Sequence, residues 1–303
     1  SFTKAAMYST LLGNLINVIL NFFLIFGLWI FPKLGVEGAA IGTLISRLCM
    51  LIFIVIYLKL HKKLSIYIKR FFPQKVQLQR VKRLMYLGLP SALHSFFEVA
   101  FFISAVWMAG IIGKNSQAAN QIALNLASMT YMVALGVGVA AMIRVGNQRG
   151  MMNFIKLREV ALSTLLLIII IDIFFCLIFL IFNNYLPLLY LDPVNSNNIS
   201  DVNEVLRIAS KLLIITGVFQ LFDGIQAVVL GALRGMQDVN KPALIIFLSY
   251  GLIGFPISYF LGFYTNLSVI GIWIGLMTGL FSSSLFLFLR FNYLSKKTIR
   301  LND

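Results

Sequence analysis

The sequence predicts an all-α membrane protein, a polytopic bundle of about eight transmembrane helices. Of the 303 residues, 60% are hydrophobic and only 12% are charged, whereas a soluble domain carries about 25% charged residues. Several apolar runs reach the roughly 20 residues that a helix needs to cross a bilayer. The intervening loops are short and contain Gly, Pro, Asn and Asp, and no β-type alternation of useful length is present.

Eight segments fit this description of a membrane span. They cover residues 5–30, 35–58, 84–112, 117–143, 157–183, 205–231, 242–263 and 268–292. The basic stretch 59–83 separates the second span from the third, and we interpret it as a cytoplasmic linker that lies on anionic headgroups. A regulatory docking site is the alternative for this segment. It divides the chain into residues 1–58, with two helices, and residues 84–303, with six.

The net charge of +15 is distributed as the positive-inside rule predicts. When alternate loops are placed on opposite sides, twenty of the 25 Lys and Arg residues fall on one side and four on the other. The twenty are Lys4, nine from Lys59 to Arg83, four from Arg144 to Arg158, Arg234 and Lys241, and four from Arg290 to Arg300. We therefore expect both ends of the chain to be cytoplasmic, and no basic face suited to nucleic acid is evident.

The first two spans resemble the last two. The run that begins at Lys4 aligns with the run that begins at Lys241, so that Asn21 falls on Ser258. After a shorter loop, Gly42 falls on Gly275. Duplicated halves are common in transporters, and their binding sites lie between the repeats. If the later unit is six helices, the earlier one should also be six, which predicts four more helices before this chain.

Two carboxylates stand alone in the middle of predicted spans, Glu98 in the third and Asp223 in the sixth. Helix geometry places them roughly 22 and 16 Å from the basic residues at the inner ends of their spans. An ionisable group in hydrocarbon is costly unless it faces water, a partner or an ion. Glu98 and Asp223 are therefore the leading functional candidates.

Polar side chains share one face on each of three spans, because helical residues three, four and seven positions apart are neighbours. We expect these faces to form three walls of one hydrated cavity. The residues are Ser91, His94 and Glu98 in the third span, Gln121, Asn125 and Ser128 beside Tyr131 in the fourth, and Thr216, Gln220, Asp223 and Gln226 in the sixth. A role in bridging helices is the alternative for each neutral residue.

The two acids suit a small cation or a proton. Carboxylate oxygens are good ligands for Na⁺, and two acids close together in a low dielectric repel each other, so that the pair can hold a proton instead. The same charge attracts organic cations, and competition for it would couple the two fluxes. Asp172 and Arg47 also lie within spans. Helix contact is our interpretation for Asp172, and pairing with an acid or carbonyl for Arg47.

Several stretches resemble the MATE (multidrug and toxic compound extrusion) family, in its NorM-like branch. They include LGLPSALHSFFEVAFF, AANQIALNLASMTYMVALGVGVAAMIRVGNQRG, GALRGMQDVNKPALIIFLSYGLIGFPISYFLG and GIWIGLMTG, together with GNLINVILNFFLIFG and LGVEGAAIGTLISR near the start. These stretches cover nearly the whole chain in family order. The resemblance implies helices five to twelve of a twelve-helix, two-lobed fold, in agreement with the repeat.

The resemblance also implies site residues. Glu98 and Asp223 match the cation site of the C-terminal lobe, with Tyr131 as a neighbour, and they are the possible seat of a Na⁺ ion. Phe219 stands where some relatives carry tyrosine. Polar positions of the N-terminal lobe are matched by Asn17, Asn21 and Thr43. The arginines Arg144 and Arg234 occupy inner helix ends, where we expect them to act as anchors.

We therefore expect a monomeric, cation-coupled antiporter of the inner membrane, without a cofactor. It would export organic cations or drugs in exchange for Na⁺ or H⁺ by alternating access between two lobes. A lipid-linked saccharide flippase is the nearest alternative, and it would favour a cavity rich in Arg and Lys. An intramembrane enzyme is more remote, since the only histidines, His61 and His94, form no metalloprotease motif. Cys49 and Cys176 are isolated and fit neither a disulfide framework nor a metal motif.

Overall fold

A computed structural model describes residues 3–27, 32–61, 77–191 and 199–301 of the chain. These residues form helices and no strands. Eight of the helical segments that it describes are long and apolar enough to cross a membrane, as the sequence predicts. The chain divides into two compact units, Ser1–Leu78 and Gln79–Asp303.

The first unit contains two helices, α1 (Thr3–Phe26) and α2 (Val36–Leu60). They run antiparallel, because the hydroxyl of Ser9 donates to the carbonyl of Met50 at 3.3 Å while the amide of Leu34 donates to the carbonyl of Leu24 at 3.0 Å. Most of the predicted linker, residues 62–76, lies outside the described residues.

The second unit contains six spans. Its first four helical elements are α3 (Leu78–Ile112), α4 (Lys114–Gly150), α5 (Phe154–Ile181) and α6 (Ile199–Gly235), with a short 3₁₀ turn at Leu186–Leu189. The remaining elements are α7 (Asn240–Leu248), a π-helical segment (Ser249–Gly254), α8 (Phe255–Phe263) and α9 (Val269–Arg300). Helices α7 and α8 and the π-helical segment form one continuous span.

Helix α6 is the most deeply buried of the described spans. It packs against α4, α5 and α9, and its buried face includes Leu212, Leu213, Phe219 and Leu233. The outward faces of the other helices expose many large apolar side chains, such as Trp107 and Leu166. This distribution is expected of a bundle whose outer surface meets lipid rather than water.

The predicted repeat is visible in helix contacts within each unit. A methyl group added at Gly42 would touch the side chain of Asn21, and one added at Gly275 would touch Ser258. These are the positions that the repeat aligns. One turn away, Gly38 lies against Leu24 and Gly271 lies against Leu261, again at equivalent positions. The last two spans therefore pack on each other as the first two do, with small residues that allow close helix approach.

Candidate functional site

Three helices of the second unit, α3, α4 and α6, surround a cavity of about 410 Å³. Both buried acids of the third and sixth spans line it, and so do the polar residues of the fourth span. We call it the acidic cavity, and its lining is Glu98, Val99, Phe102, Ile103, Val106, Gln121, Leu124, Asn125, Ala127, Ser128, Tyr131, Phe219 and Asp223. It contains two carboxylates and no Lys or Arg, so it is suited to a cation.

Glu98 is held by neighbours from two other helices. The hydroxyl of Tyr131 donates to Glu98 Oε1 at 3.4 Å, and Nε2 of Gln226 donates to the same oxygen at 3.5 Å. Both bonds are long, so they orient the carboxylate without enclosing it. The side chain retains 14% of its surface. Glu98 can therefore exchange one weak partner for another, which a binding site for a transported ion requires.

Asp223 lies on the α6 wall of the acidic cavity and is 6% exposed. Its Oδ1 atom has no hydrogen-bond partner among the described residues. A buried charge without a partner is costly, so this side chain is suited to holding a proton or a cation. One residue away, Gly224 allows the carboxylate of Asp172 to approach the backbone of α6. The Asp172 side chain is buried at that contact between α5 and α6, and Oδ2 has no hydrogen-bond partner there.

A second cavity, of about 310 Å³, adjoins the first. We call it the arginine cavity, and its lining is His94, Ser95, Glu98, Val99, Tyr131, Leu135, Gly138, Val139, Met142, Ala227, Leu230, Gly231 and Arg234. The two cavities share Glu98, Val99 and Tyr131. The acidic cavity extends from these residues toward the α3–α4 connection at Gly113, and the arginine cavity extends toward the opposite ends of those helices.

The polar groups of the arginine cavity form a row. Nη2 of Arg234 donates to Nδ1 of His94 at 3.1 Å, and Nε2 of His94 lies 3.9 Å from Oε2 of Glu98. Because Nδ1 accepts a hydrogen bond, the neutral histidine carries its proton on Nε2, on the side of Glu98. Arg234 therefore points into the protein, and the sequence-based expectation that it anchors the helix to headgroups does not describe its contacts.

Four polar residues predicted to line the cavity do not border either cavity. Ser91 and Thr216 donate to carbonyls of their own helices, those of Leu87 and Leu212. Gln220 is 3% exposed, and neither its nitrogen nor its oxygen has a partner among the described residues. The fourth, Gln226, donates to Glu98 although it borders neither cavity.

Two residues that the sequence did not single out complete the surroundings of Gln226. Tyr250, in the π-helical segment, donates to Gln226 Oε1 at 2.9 Å, and the hydroxyl of Ser283 on α9 donates to the same oxygen. Tyr250 also stacks on Phe101, with ring centroids 4.6 Å apart. The sequence indicates only that Tyr250 and Ser283 are polar residues within apolar spans. Many other serines and tyrosines of this chain are placed in the same way, so this feature does not distinguish the two.

The polar positions assigned to the N-terminal lobe form their own cluster within the first unit. Asn17 donates to Thr43 Oγ1 at 3.2 Å, and Asn21 donates to Asn17 Oδ1 at 3.2 Å. The oxygen of Asn21 has no hydrogen-bond partner among the described residues. Arg47 is exposed, and its guanidinium lies 3.9 Å from the sulfur of Met50.

The described residues contain no group of three or more His, Cys, Asp or Glu that could hold a metal ion. Glu98, Asp223 and Tyr131 supply a smaller set of oxygens at the acidic cavity. Carboxylate and hydroxyl oxygens are ligands that hard cations prefer. The acidic cavity thus offers two carboxylates and one hydroxyl to a cation.

Comparison with known proteins shows what the chain is similar to. The family model MatE matches residues 90–260. A probable multidrug resistance protein NorM of Agrobacterium fabrum is 34% identical over 299 residues, which are 97% of this chain and 62% of that protein. The protein described in the same words from Bacillus subtilis is 32% identical over 296 residues, 97% of this chain and 63% of its own. The chain thus spans a little over three fifths of the length of these curated relatives.

Solved structures show the same architecture. The eukaryotic MATE transporter AtDTX14 has a TM-score of 0.81 at 21% identity, over 97% of this chain and 64% of its own. A crystal structure of MATE in the bent conformation has a TM-score of 0.80 at 20% identity, over 98% of this chain and 63% of its own. At these identities the likeness supports the fold alone.

Proposed function

Since this chain belongs to the MatE family of transporters, we propose that it supplies the cation site of an antiporter that exports organic cations or drugs in exchange for Na⁺ or H⁺. Glu98 and Asp223 carry the coupling charge, and Tyr131 orients Glu98. The relatives' description as multidrug resistance proteins supports the substrate class. No cofactor is required, because the gradient of the coupling ion drives export.

The observation that carries this proposal is the position of both acids on one cavity. Two carboxylates in a low dielectric repel each other, so the pair favours occupation by a positive charge. A proton, a Na⁺ ion and an organic cation satisfy the same demand and therefore compete. Binding of the coupling ion then weakens the hold on the organic cation, and the reverse follows by thermodynamic linkage.

Aromatic and apolar side chains supply the rest of the substrate surface. Phe102, Val106 and Phe219 line the acidic cavity opposite its polar wall. A flat organic cation can place its charge near the acids and its hydrocarbon against these side chains. Such a surface binds many cations of similar size with modest affinity, because it relies on apolar area and one charge contact rather than on directional hydrogen bonds.

The chain is a multi-pass membrane protein, and we propose that it lies in the inner membrane with both ends in the cytoplasm. This orientation rests on the distribution of Lys and Arg in the sequence. It places the α3–α4 connection on the outer side, so that the acidic cavity extends outward and the arginine cavity inward. Transport by alternating access would then move the accessible side of Glu98 from one cavity to the other. We further propose that the protein acts as a monomer.

A lipid-linked saccharide flippase is not favoured by this geometry. Its pyrophosphate would require several basic side chains around one chamber. The acidic cavity has none, and among the described residues that line the arginine cavity Arg234 is the one residue of this kind.

The test is efflux of an organic cation from liposomes that contain the full-length protein, with Na⁺ and proton gradients imposed separately. The first variant carries Glu98→Gln and Asp223→Asn, which keep the shapes of both side chains and remove their charges. We expect at least a tenfold loss of gradient-driven export, because a desolvated charge contact is worth more than about 1.4 kcal/mol.

The matched control is Glu159→Gln, which makes the same change at an exposed acid on α5 that borders neither cavity. Its export should equal that of the unaltered protein. Unchanged export by the double variant, with unchanged dependence on the ion gradient, would remove both acids from the mechanism. The gradient that drives export in the unaltered protein identifies the coupling ion.

A further inference from the structure

The two cavities of the second unit differ in charge although they share a wall. On one side of Glu98 and Tyr131 the acidic cavity has a second acid, Asp223, and no basic side chain. On the other side the arginine cavity has Arg234 and His94, and Glu98 at the shared wall is its only acid among the described residues that line it. A cation that leaves Glu98 through the arginine cavity therefore meets the charge of Arg234 on the lining.

Arg234 is not neutralised by a direct ion pair. Among the described residues, no carboxylate lies within 4.0 Å of its guanidinium, whereas Arg290 pairs with Asp238 at 2.9 Å. Its recorded partner is the uncharged ring nitrogen Nδ1 of His94, at 3.1 Å. The guanidinium is always charged in proteins, so its positive field acts on the space that it lines.

His94 holds Arg234 in this position. The imidazole lies on α3, one turn before Glu98, is 4% exposed and accepts a hydrogen bond from the guanidinium through Nδ1. Since Arg234 is in the last turn of α6, this contact turns the arginine inward instead of leaving it to extend into water. The charge of Arg234 is therefore held beside His94, which lies between the guanidinium and Glu98.

We propose that Arg234 is a charge barrier that closes the arginine cavity to cations while the acidic cavity is open. The barrier would keep Na⁺ and organic cations from crossing in an uncoupled way, and it would direct cations at Glu98 back to the acidic cavity. This inference rests on the proposed function and on its orientation. It makes Arg234 a specificity-determining residue and assigns His94 the task of positioning it.

The size of the effect follows from electrostatics in a narrow, partly dehydrated space. A unit positive charge that is not screened by bulk water repels a passing cation strongly at the effective dielectric of a protein. Channels and transporters that exclude cations use fixed arginines or helix dipoles in the same way. Removal of one such charge should raise the cation flux by about tenfold or more.

The test measures leak rather than coupled export. Full-length protein is reconstituted into liposomes, and passive influx of Na⁺ and of tetraethylammonium is followed without an opposing substrate. We expect Arg234→Gln to raise both influxes by about tenfold, because it removes the charge and retains hydrogen bonding. Arg234→Lys keeps the charge and should leak as little as the unaltered protein.

A second variant tests the field without altering Arg234. Met142→Glu places a carboxylate on the wall of the arginine cavity, and it should also raise the leak. The matched control is Arg144→Gln, which removes an exposed positive charge near the same end of α4 and borders neither cavity. If Arg234→Gln is not recovered as a monodisperse protein, Met142→Glu decides the question.

Three results would overturn the inference: no rise in leak for Arg234→Gln, a rise of equal size for Arg234→Lys, or a rise of equal size for Arg144→Gln. The last two would indicate disturbed packing or a general surface-charge effect. Failure of the proposed function has a different signature, since it appears as gradient-driven export that is unaffected by the Glu98→Gln, Asp223→Asn pair. The leak assay requires no gradient-driven export, so the two failures are distinguishable.

Discussion

Replacement of Gly231 with alanine tests whether direct backbone contact between α4 and α6 sets the spacing of both cavities. Gly231 of α6 lies against Gly138 of α4, and both residues line the arginine cavity. Tyr131 lies about two turns before Gly138 on α4, and Asp223 lies about two turns before Gly231 on α6. A change in helix separation at the glycines would therefore move the walls of the acidic cavity as well.

The magnitude follows from the contacts that a new methyl group would make. A Cβ atom on Gly231 would overlap the carbonyl oxygen of Gly138, and it would lie 2.9 Å from the carbonyl carbon and 3.2 Å from Cα. Carbon atoms in good contact are about 3.5–4.0 Å apart, and the carbonyl oxygen is closer still, so the backbones must separate by roughly 1 Å. Overpacking of this kind costs about 1–3 kcal/mol, and the better helix propensity of alanine returns up to about 1 kcal/mol. We expect a net loss of roughly 1–2 kcal/mol.

The control is Gly136→Ala. Gly136 lies on α4, two residues before Gly138, which Gly231 contacts. A Cβ atom there meets no atom within 4 Å, so alanine should leave stability unchanged or raise it. Thermal unfolding of the purified protein in detergent measures both variants. For a chain of 303 residues we expect Gly231→Ala to lower the Tm by roughly 2–3 °C. If Gly231→Ala proves as stable as Gly136→Ala, the helices are not held by backbone contact and the reasoning fails.

Two further substitutions test single hydrogen bonds. Tyr131→Phe removes the 3.4 Å bond to Glu98. Because this bond is long, we take its worth as that of an ordinary hydrogen bond, about 0.5–1.5 kcal/mol, rather than that of a short bond to a charged group. Organic-cation export at subsaturating substrate should therefore fall by about two- to tenfold, and an unchanged rate would show that Tyr131 does not orient Glu98. Trp273→Phe removes the 2.8 Å bond from Nε1 to Asn120, where both side chains are fully buried, and it should destabilise the protein by about 1–3 kcal/mol. Its control is Trp107→Phe, at a side chain that is 78% exposed, and equal unfolding temperatures for the two variants would contradict the prediction.

The number and order of the spans could be predicted because they depend on length and hydropathy alone. The ends of the helices could not. The fourth span was expected over residues 117–143 and the helix covers Lys114–Gly150, while the sixth was expected over 205–231 and the helix covers Ile199–Gly235. The additional turns are polar, and a search for apolar runs stops where the apolar run stops although the backbone remains helical.

The sequence could predict that the two acids and the polar residues of the fourth span line one cavity. On each helix the polar side chains recur three, four or seven positions apart, so they lie on one face of that helix. The same argument predicted too many cavity-lining residues on α6. Thr216 and Gln220 share a face with Asp223 by spacing, yet only Asp223 borders the acidic cavity. Helix periodicity predicts which residues share a face, and the packing of neighbouring helices against α6 decides how much of that face remains open to the cavity.

Arg234 shows a different limit of the sequence. It stands at a helix end that the positive-inside rule predicts to be cytoplasmic, and this favours a headgroup contact, but the rule counts charges and carries no information on the direction of a side chain. The inward direction depends on His94, which is 140 positions away in the chain and comes close only when α3 packs beside α6. A long-range pair of this kind leaves no trace in the local pattern of either helix.

The incomplete hydrogen bonding of the site is itself consistent with transport. Asp223 and Gln220 have buried polar atoms without partners, and both bonds to Glu98 are at least 3.4 Å long. Elsewhere in the same unit the hydrogen bonding of buried groups is mixed: Nε1 of Trp273 donates to Asn120 Oδ1 at 2.8 Å, while Nδ2 of the same asparagine has no partner among the described residues. If the carboxylates had all their hydrogen bonds within the protein, binding of a cation would add little favourable free energy. Carboxylates that lack such partners can bind a cation and release it when a competing cation binds. In the proposed exchange, the free energy lost in those missing bonds would favour binding of either the coupling ion or the organic cation.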